Sequence, residues 1–565
     1  MAAFRSLVIS VLSALCLLTF LYYTLFPQGP HLLLSLGGFA SRDSASPTGA
    51  MSGEGDSSSE TMFTAAKKFD PQVLLSAPRR SSALPNTEGD LAVYTVSTYS
   101  FASHQKTREI RVVDIASGQS RLITNDKEAS SPRWLSGREL IWLKTTENST
   151  KLITGHADAI DQVHVVATIP APVSDFKLKE LSGGKFAILL AAKALPDGEL
   201  YSPGNQEKPR SSALLYDNLF VRHWDEYVTP FKNALWHGIL EAPKSGLMAR
   251  QGTYALGQLT NLLKETHLER PIAPFGGADD FDLSESGVVF VAKDPTSNEA
   301  LNTKSNVYHV SIGNEATGQH YSPPRRIEFD GFDGASASPV YSSDGRKVSY
   351  LQMKENGYES DQNRLFIFDA ASPDGVAQII LEHEDGSDWT RSPSSIKFGQ
   401  DSTQLLLTAQ DNGRVNLFTL EMSTGSAPSG PSKPRSLTTH GQISDVQMLG
   451  ESRNEALISG TSFVDNSFFS VLDISRAKQP RLVSSVSRNG SFFNLQQGQV
   501  DEFWFDGAQD YRVHAWVIKP SDFDKTRRYP LAYVIHGGPQ GSWAEGWSTR
   551  WYVFADVRSA LHIGY

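Results

Sequence analysis

Near its C-terminal end the chain reads Tyr529-Pro-Leu-Ala-Tyr-Val-Ile-His536-Gly537-Gly538-Pro539-Gln540-Gly541, a short apolar run emptying into two glycines. The run predicts a strand buried on both faces. The glycines let the backbone turn tightly and bring bare N–H groups up to a developing negative charge. Serine hydrolases build half of an oxyanion hole in this way, so Gly537 and Gly538 are the candidate donors. His536 lies on the oxyanion side and is read as shaping the loop, not as a base. The nucleophile of such a site sits downstream on an elbow of the form Gly-x-Ser-x-Gly. No Gly-x-Ser-x-Gly occurs in the 565 residues.

A second concentration of reactive side chains is Asn218-Leu-Phe-Val-Arg222-His-Trp-Asp225-Glu226. Arg222, Asp225 and Glu226 could point into a cavity and grip one end of a peptide. The same residues could equally be a polar cluster that holds an insertion in place, since structural ion-pair networks are common.

The elements that must position these groups are mostly strands. From about residue 83 to 500 a polar turn with Gly, Asp or Asn is followed, again and again, by a short apolar strand. Aligned on those strands, Val93, Ile141, Ile188, Val289, Val348, Leu406 and Leu457 are separated by 47–59 residues, except for one step of 101. That spacing suits a four-stranded propeller blade with its loops, and seven starts imply seven blades. The long step implies an insertion at about 200–275. After it, Phe503-Trp-Phe505 and Val513–Ile518 read as a hairpin with Asp506-Gly507 in the connection. The order hairpin, strand, Gly-Gly loop is the opening of an α/β-hydrolase sheet.

Propeller followed by α/β-hydrolase is the layout of the prolyl oligopeptidase family. Leu74–Arg80, Val221–Asp225, Pro274–Asp279 and His536–Trp551 resemble the fungal dipeptidyl-peptidase V branch of that family, and the resemblance covers about residues 69–551. It implies a mainly β chain, with a seven-bladed β-propeller at 69–500 and the N-terminal fragment of an α/β-hydrolase (peptidase) domain at 501–565. It also implies a secreted serine peptidase that removes dipeptides from peptide N-termini, with no metal or organic cofactor. The family's Ser, Asp and His all fall after the end of this chain, so none of the 14 histidines is assigned to that role. Residues 552–565 show no such resemblance, and a truncated record is the plain expectation. The competing reading is a non-catalytic propeller that binds peptides or protein partners.

Composition agrees with a globular chain, and its charge balance suits a secreted protein as well as many cytosolic enzymes. A formal net charge of −10, with no Lys/Arg run longer than a pair, argues against a nucleic-acid partner. Cys16 is the only cysteine, so the body holds together without disulfides. Ser6 to Phe26 is uncharged and apolar behind Arg5, long enough to span a bilayer. Residues 1–40 are thus a signal peptide, cut after Gly38-Phe39-Ala40, or an uncleaved type II anchor with the body outside. Residues 41–68 read as a flexible, Ser/Gly-rich linker. Asn148-Ser-Thr and Asn489-Gly-Ser are glycosylation sequons.

Overall fold

The computed structural model describes residue 66 and residues 69–564, apart from 208–209, 243–253, 314–319, 373–376, 382–388, 423–432, 451–453, 477–478, 521, 539–540 and 549–559. The N-terminal apolar segment, Cys16 and all but residue 66 of the 41–68 stretch lie outside the described residues. No helix among the described residues is long and apolar enough to cross a membrane.

From Arg79 to Ser485 the described residues build successive four- and five-stranded antiparallel sheets and a last eight-stranded one. A single parallel bridge, Val415 to Gln442, divides that last sheet into two antiparallel four-stranded sets, so that seven sets follow one another along the chain. This mainly β series is consistent with a β-propeller. The second strands are Leu91–Ser100, Glu139–Thr145, Lys185–Ala194, Gly287–Lys293, Lys347–Gln352, Gln404–Asp411 and Glu455–Thr461. Each contains one of the seven aligned aliphatic positions, and none of those seven side chains is more than 1 % exposed. A central strand has neighbours on both faces, which is why these runs are continuously apolar and not alternating.

Strand direction alternates within each set. The hairpins joining second to third strands therefore emerge at one face of the series, together with the links from one set to the next. In the sixth set that hairpin is Asp411-Asn412-Gly413-Arg414, with Asn412 and Gly413 both left-handed (φ 48° and 68°), the geometry of a tight two-residue turn. In the third set the same hairpin is expanded to residues 195–231. The strand Lys232–Glu241 follows and pairs along its whole length with Lys185–Ala194. The inserted chain is therefore shorter than the 200–275 expected from spacing. Lys232–Glu241 belongs to the sheet, but no turn signature precedes it in the sequence.

Among the described residues no N-terminal strand enters the last set; Arg79–Arg80 pairs with Val96–Ser97 of the first. The two ends of the series are joined by side chains instead. Arg80 donates to Ser467 and Ser484, and its guanidinium lies 3.9 Å from the Phe469 ring centroid. Asn466 donates to the Pro78 carbonyl, and Arg481 to that of Ile115.

After Ser485 the chain enters a different, mixed sheet. Val500–Asp506 and Arg512–Ile518 form the expected hairpin. Ala560–Gly564 then pairs antiparallel with Arg512–Ile518 and parallel with Leu531–Ile535. So part of the 552–565 segment, which matches no motif, supplies an inner strand of this sheet. Leu531–Ile535 is also not buried on both faces as its apolar run predicts. Ala532 and Val534 pack inward, while Leu531, Tyr533 and Ile535 are 64 %, 49 % and 65 % exposed. The strand stands at the sheet's edge.

Candidate functional site

The inward face of Leu531–Ile535 is held by a hydrophobic cluster that links the last sheet to the propeller-like series. Ala532, Val534, Trp516 and Ile518 meet Phe463 and Val464 from the seventh set. Phe69 and Leu74 join them from the helix Pro71–Ser76 and its approach. Asp70 caps that helix by accepting from the Val73 N–H at 2.8 Å, and Pro71 begins it, where a missing N–H costs nothing.

This packing delivers His536, Gly537 and Gly538 to the end of the strand, the histidine half-buried and the two glycines exposed. His536 Nδ1 lies 2.8 Å from the Gly537 carbonyl oxygen, a local contact that fits a loop-shaping residue. Gly538 has φ 149°, which only glycine adopts without strain, whereas a Cβ on Gly537 would meet nothing within 4 Å. The space beside Gly537 is open.

The far end of the same loop is fixed to the hairpin face. Ser542 donates to Gln410 at 2.8 Å, the Glu545 N–H donates to the Gly413 carbonyl at 2.7 Å, and the Trp547 N–H to Thr461 at 3.2 Å. Glu545 itself is buried, and its Oε2 accepts from Arg414 Nε (3.1 Å) and from the Gly441 N–H (3.0 Å). Arg414 also donates to Glu502 at 2.9 Å, and His514 Nε2 stands 3.2 Å from the same carboxylate oxygen. Burial alone would raise the Glu502 carboxyl, but the hydrogen bonds from Arg414 and His514 outweigh it and hold it below its usual value. None of Gln410, Arg414, Glu502 or Glu545 stands out in the sequence. Their partners lie about a hundred positions away, beyond the reach of any local motif.

Arg222, His223, Glu226 and Tyr227 form a two-rung hairpin, with Trp224 and Asp225 in its turn. Arg222, Asp225 and Glu226 are all exposed. Glu226 lines a cavity of about 890 Å³ between the 195–231 insertion and the 294–299 hairpin of the fourth set. Arg222 and Asp225 are not among its lining residues. Deeper in the cavity, burial raises the Glu269 and Asp175 carboxyls and lowers the Lys293 ammonium. Phe220 stacks on His223 at 4.2 Å, and both line the cavity. The Gly537-Gly538 loop and this cavity do not share lining residues. Both belong to the face from which the second-to-third-strand hairpins emerge. A separate cavity of about 860 Å³ is lined by Arg133, Lys177, Lys397 and Asp445, from the first strands of their sets. Both sequon residues, Asn148 and Asn489, are exposed.

No protein-family model matches the chain. It is 33 % identical over 513 residues to a probable dipeptidyl-peptidase 5 of Aspergillus clavatus, covering 87 % of this chain and 67 % of that protein. It is also 33 % identical over 494 residues to dipeptidyl-peptidase 5 of Aspergillus fumigatus, covering 86 % and 66 %. The chain thus spans about two thirds of the length of the curated relatives it matches. Among solved structures, an acylaminoacyl peptidase of Pyrococcus horikoshii superposes with a TM-score of 0.60 at 12 % identity, over 88 % of this chain and 66 % of that one. A puromycin-hydrolysing peptidase of Mycobacterium tuberculosis gives 0.53 at 12 %, over 89 % and 68 %. At such identities the structural likeness shows a shared fold.

Proposed function

The chain belongs to the dipeptidyl-peptidase 5 family, and from that premise we propose that it carries the peptide-screening propeller and the oxyanion arm of a serine-type dipeptidyl-peptidase. On this reading residues 69–500 are a seven-bladed propeller and 501–565 open an α/β-hydrolase domain. The observation that carries it is the parallel pair Leu531–Ile535 and Ala560–Gly564, with Gly537-Gly538 at the carboxyl end of the first strand. A parallel pair needs a crossover connection, and in hydrolases of this kind the loop opening that crossover supplies N–H donors.

The chemistry follows from that placement. Attack of a serine on the scissile carbonyl puts negative charge on its oxygen, and N–H groups of the 537–538 loop would donate to it. A single donor of this type is worth ~3 kcal/mol in the transition state. The seryl nucleophile and its His and Asp partners are assigned to no residue of this chain. Glu226, which lines the cavity beside Phe220 and His223, would meet the ammonium of a peptide N-terminus, with Arg222 and Asp225 on the same exposed hairpin. That the insertion rises from the face that carries the oxyanion loop supports this. Peptides are then the substrates, export through residues 1–40 the route, and Asn148 and Asn489 the glycan sites.

Sequencing the transcript past the codon for Tyr565 tests the reading. An in-frame continuation encoding Gly-x-Ser-x-Gly and then Asp and His is expected; a stop codon there would falsify the enzyme reading for this product. The alternative reading is a non-catalytic propeller that binds peptides or protein partners.

A further inference from the structure

Arg414 sits where three pieces of chain meet. It belongs to the Asp411–Arg414 hairpin, it bridges Glu545 of the glycine loop and Glu502 of the last sheet, and its guanidinium lies 4.8 Å from the Trp516 ring centroid. Trp516 in turn donates to the Trp543 carbonyl at 3.0 Å, inside the same loop. Only 16 % of the Arg414 side chain is exposed, against 9 % for Glu545 and 44 % for Glu502. Two carboxylates on one planar guanidinium, partly shielded from water, make a directional joint that a flexible ammonium cannot copy. The hairpin packs closely on the last sheet: a Cβ on Gly413 would fall 2.7 Å from Trp516 Nε1 and 2.9 Å from the His514 ring.

We infer that Arg414 is a positioning residue, which fixes the distal end of the 536–547 loop to the propeller and thereby sets where the Gly537 and Gly538 N–H groups stand relative to a peptide held on that face. Its functional meaning rests on the oxyanion reading of Gly537 and Gly538. The restraint on the loop does not. A loop tethered only through its strand would leave the donors free to wander, and preorganised donors are what makes such a hole effective.

Hydrogen–deuterium exchange on the full chain tests this, read at the amides of 541–547 in wild type, Arg414→Gln, Arg414→Lys and Glu545→Gln. Lys144→Gln, which removes an ion pair with Asp126 in the second set, is the control. Arg414→Gln and Glu545→Gln are expected to speed exchange in 541–547 by at least about tenfold, with the second set unchanged. Arg414→Lys is expected not to restore protection, because one ammonium cannot hold both carboxylates in the fork geometry. Unchanged protection in 541–547, or a rise of the same size in the second set or in the Lys144→Gln control, overturns the inference. If Arg414→Gln does not fold, Glu502→Gln removes one arm of the bridge and is read at the same amides. The readout is not hydrolysis, so loss of the peptidase reading would leave this result interpretable.

Discussion

Arg80 and Ser467, 387 positions apart, are joined twice: Nε donates to Oγ at 2.8 Å and Nη2 to the carbonyl oxygen at 2.7 Å. With Ser484 and the Phe469 ring, this contact ties the first strand set to the last, where no ladder is shared among the described residues. Arg80→Ala removes charge-assisted bonds and leaves the buried Asp465, already raised by burial, without a compensating cation. A loss of about 2–4 kcal/mol is expected in urea unfolding, with Arg80→Lys recovering less than half. A change below about 0.5 kcal/mol, the size of a bland surface substitution, would mean that the ends are held by something else.

Gly413 is both left-handed and without room for a side chain, since Trp516 and His514 atoms stand within 3 Å of where a Cβ would be. Gly413→Ala is expected to cost about 2–4 kcal/mol from backbone strain plus overpacking. It should also shift tryptophan emission, because Trp516 is the neighbour displaced. Asn412→Gly, at a left-handed position one residue earlier, is the contrast and should be nearly neutral. Equal effects of the two would show that the turn is not where the strain lies.

His237 and His309 are core residues whose imidazoles burial holds neutral down to about pH 4. Their ordinary value is 6.5. Between those values the unfolded chain takes up protons that the folded chain refuses, so stability falls as pH drops from 6.5 toward 4 and is flat above that window. Each histidine contributes a slope of up to about 1.4 kcal/mol per pH unit. Chemical denaturation from pH 7 to 4.5 should therefore be less pH-dependent for His309→Gln than for wild type. An identical slope would contradict the burial argument.

If Glu226 meets a peptide N-terminus, the chain binds an unblocked tetrapeptide more tightly than its N-acetylated counterpart. Glu226→Gln should abolish that preference, worth about tenfold in Kd, and Arg222→Ala and Asp225→Ala should have smaller effects. Calorimetric titration reads all of these. Indifference of the wild-type chain to acetylation would remove Glu226 from the site.

What the sequence makes legible here follows from range. The second strands, marked by a polar turn and then Val93, Ile141 or Leu406, are local signals, and burial at 1 % or less is what produced them. Lys232–Glu241 was hidden because its partner Lys185–Ala194 precedes a long insertion that breaks the period. Ala560–Gly564 was hidden because five residues between distant neighbours carry no period at all. The run Leu531–Ile535 announced a strand, but apolar residues cannot say which of their faces another element covers. Gly537 and Gly538 stand out in the sequence because an uninterrupted apolar run empties into two consecutive glycines, and their role as donors is part of the proposed function. Arg414 was not, because an arginine at a hairpin is ordinary until Glu502 and Glu545, 88 and 131 positions away, are seen to close on it.

The most direct test of the peptidase reading is labelling by a fluorophosphonate probe, run side by side on the 565-residue chain and on the longer in-frame product of the same gene. The account predicts no label on the former and stoichiometric label on the latter, at the serine of a Gly-x-Ser-x-Gly downstream of Tyr565. Label on the 565-residue chain, or on neither protein, would contradict it.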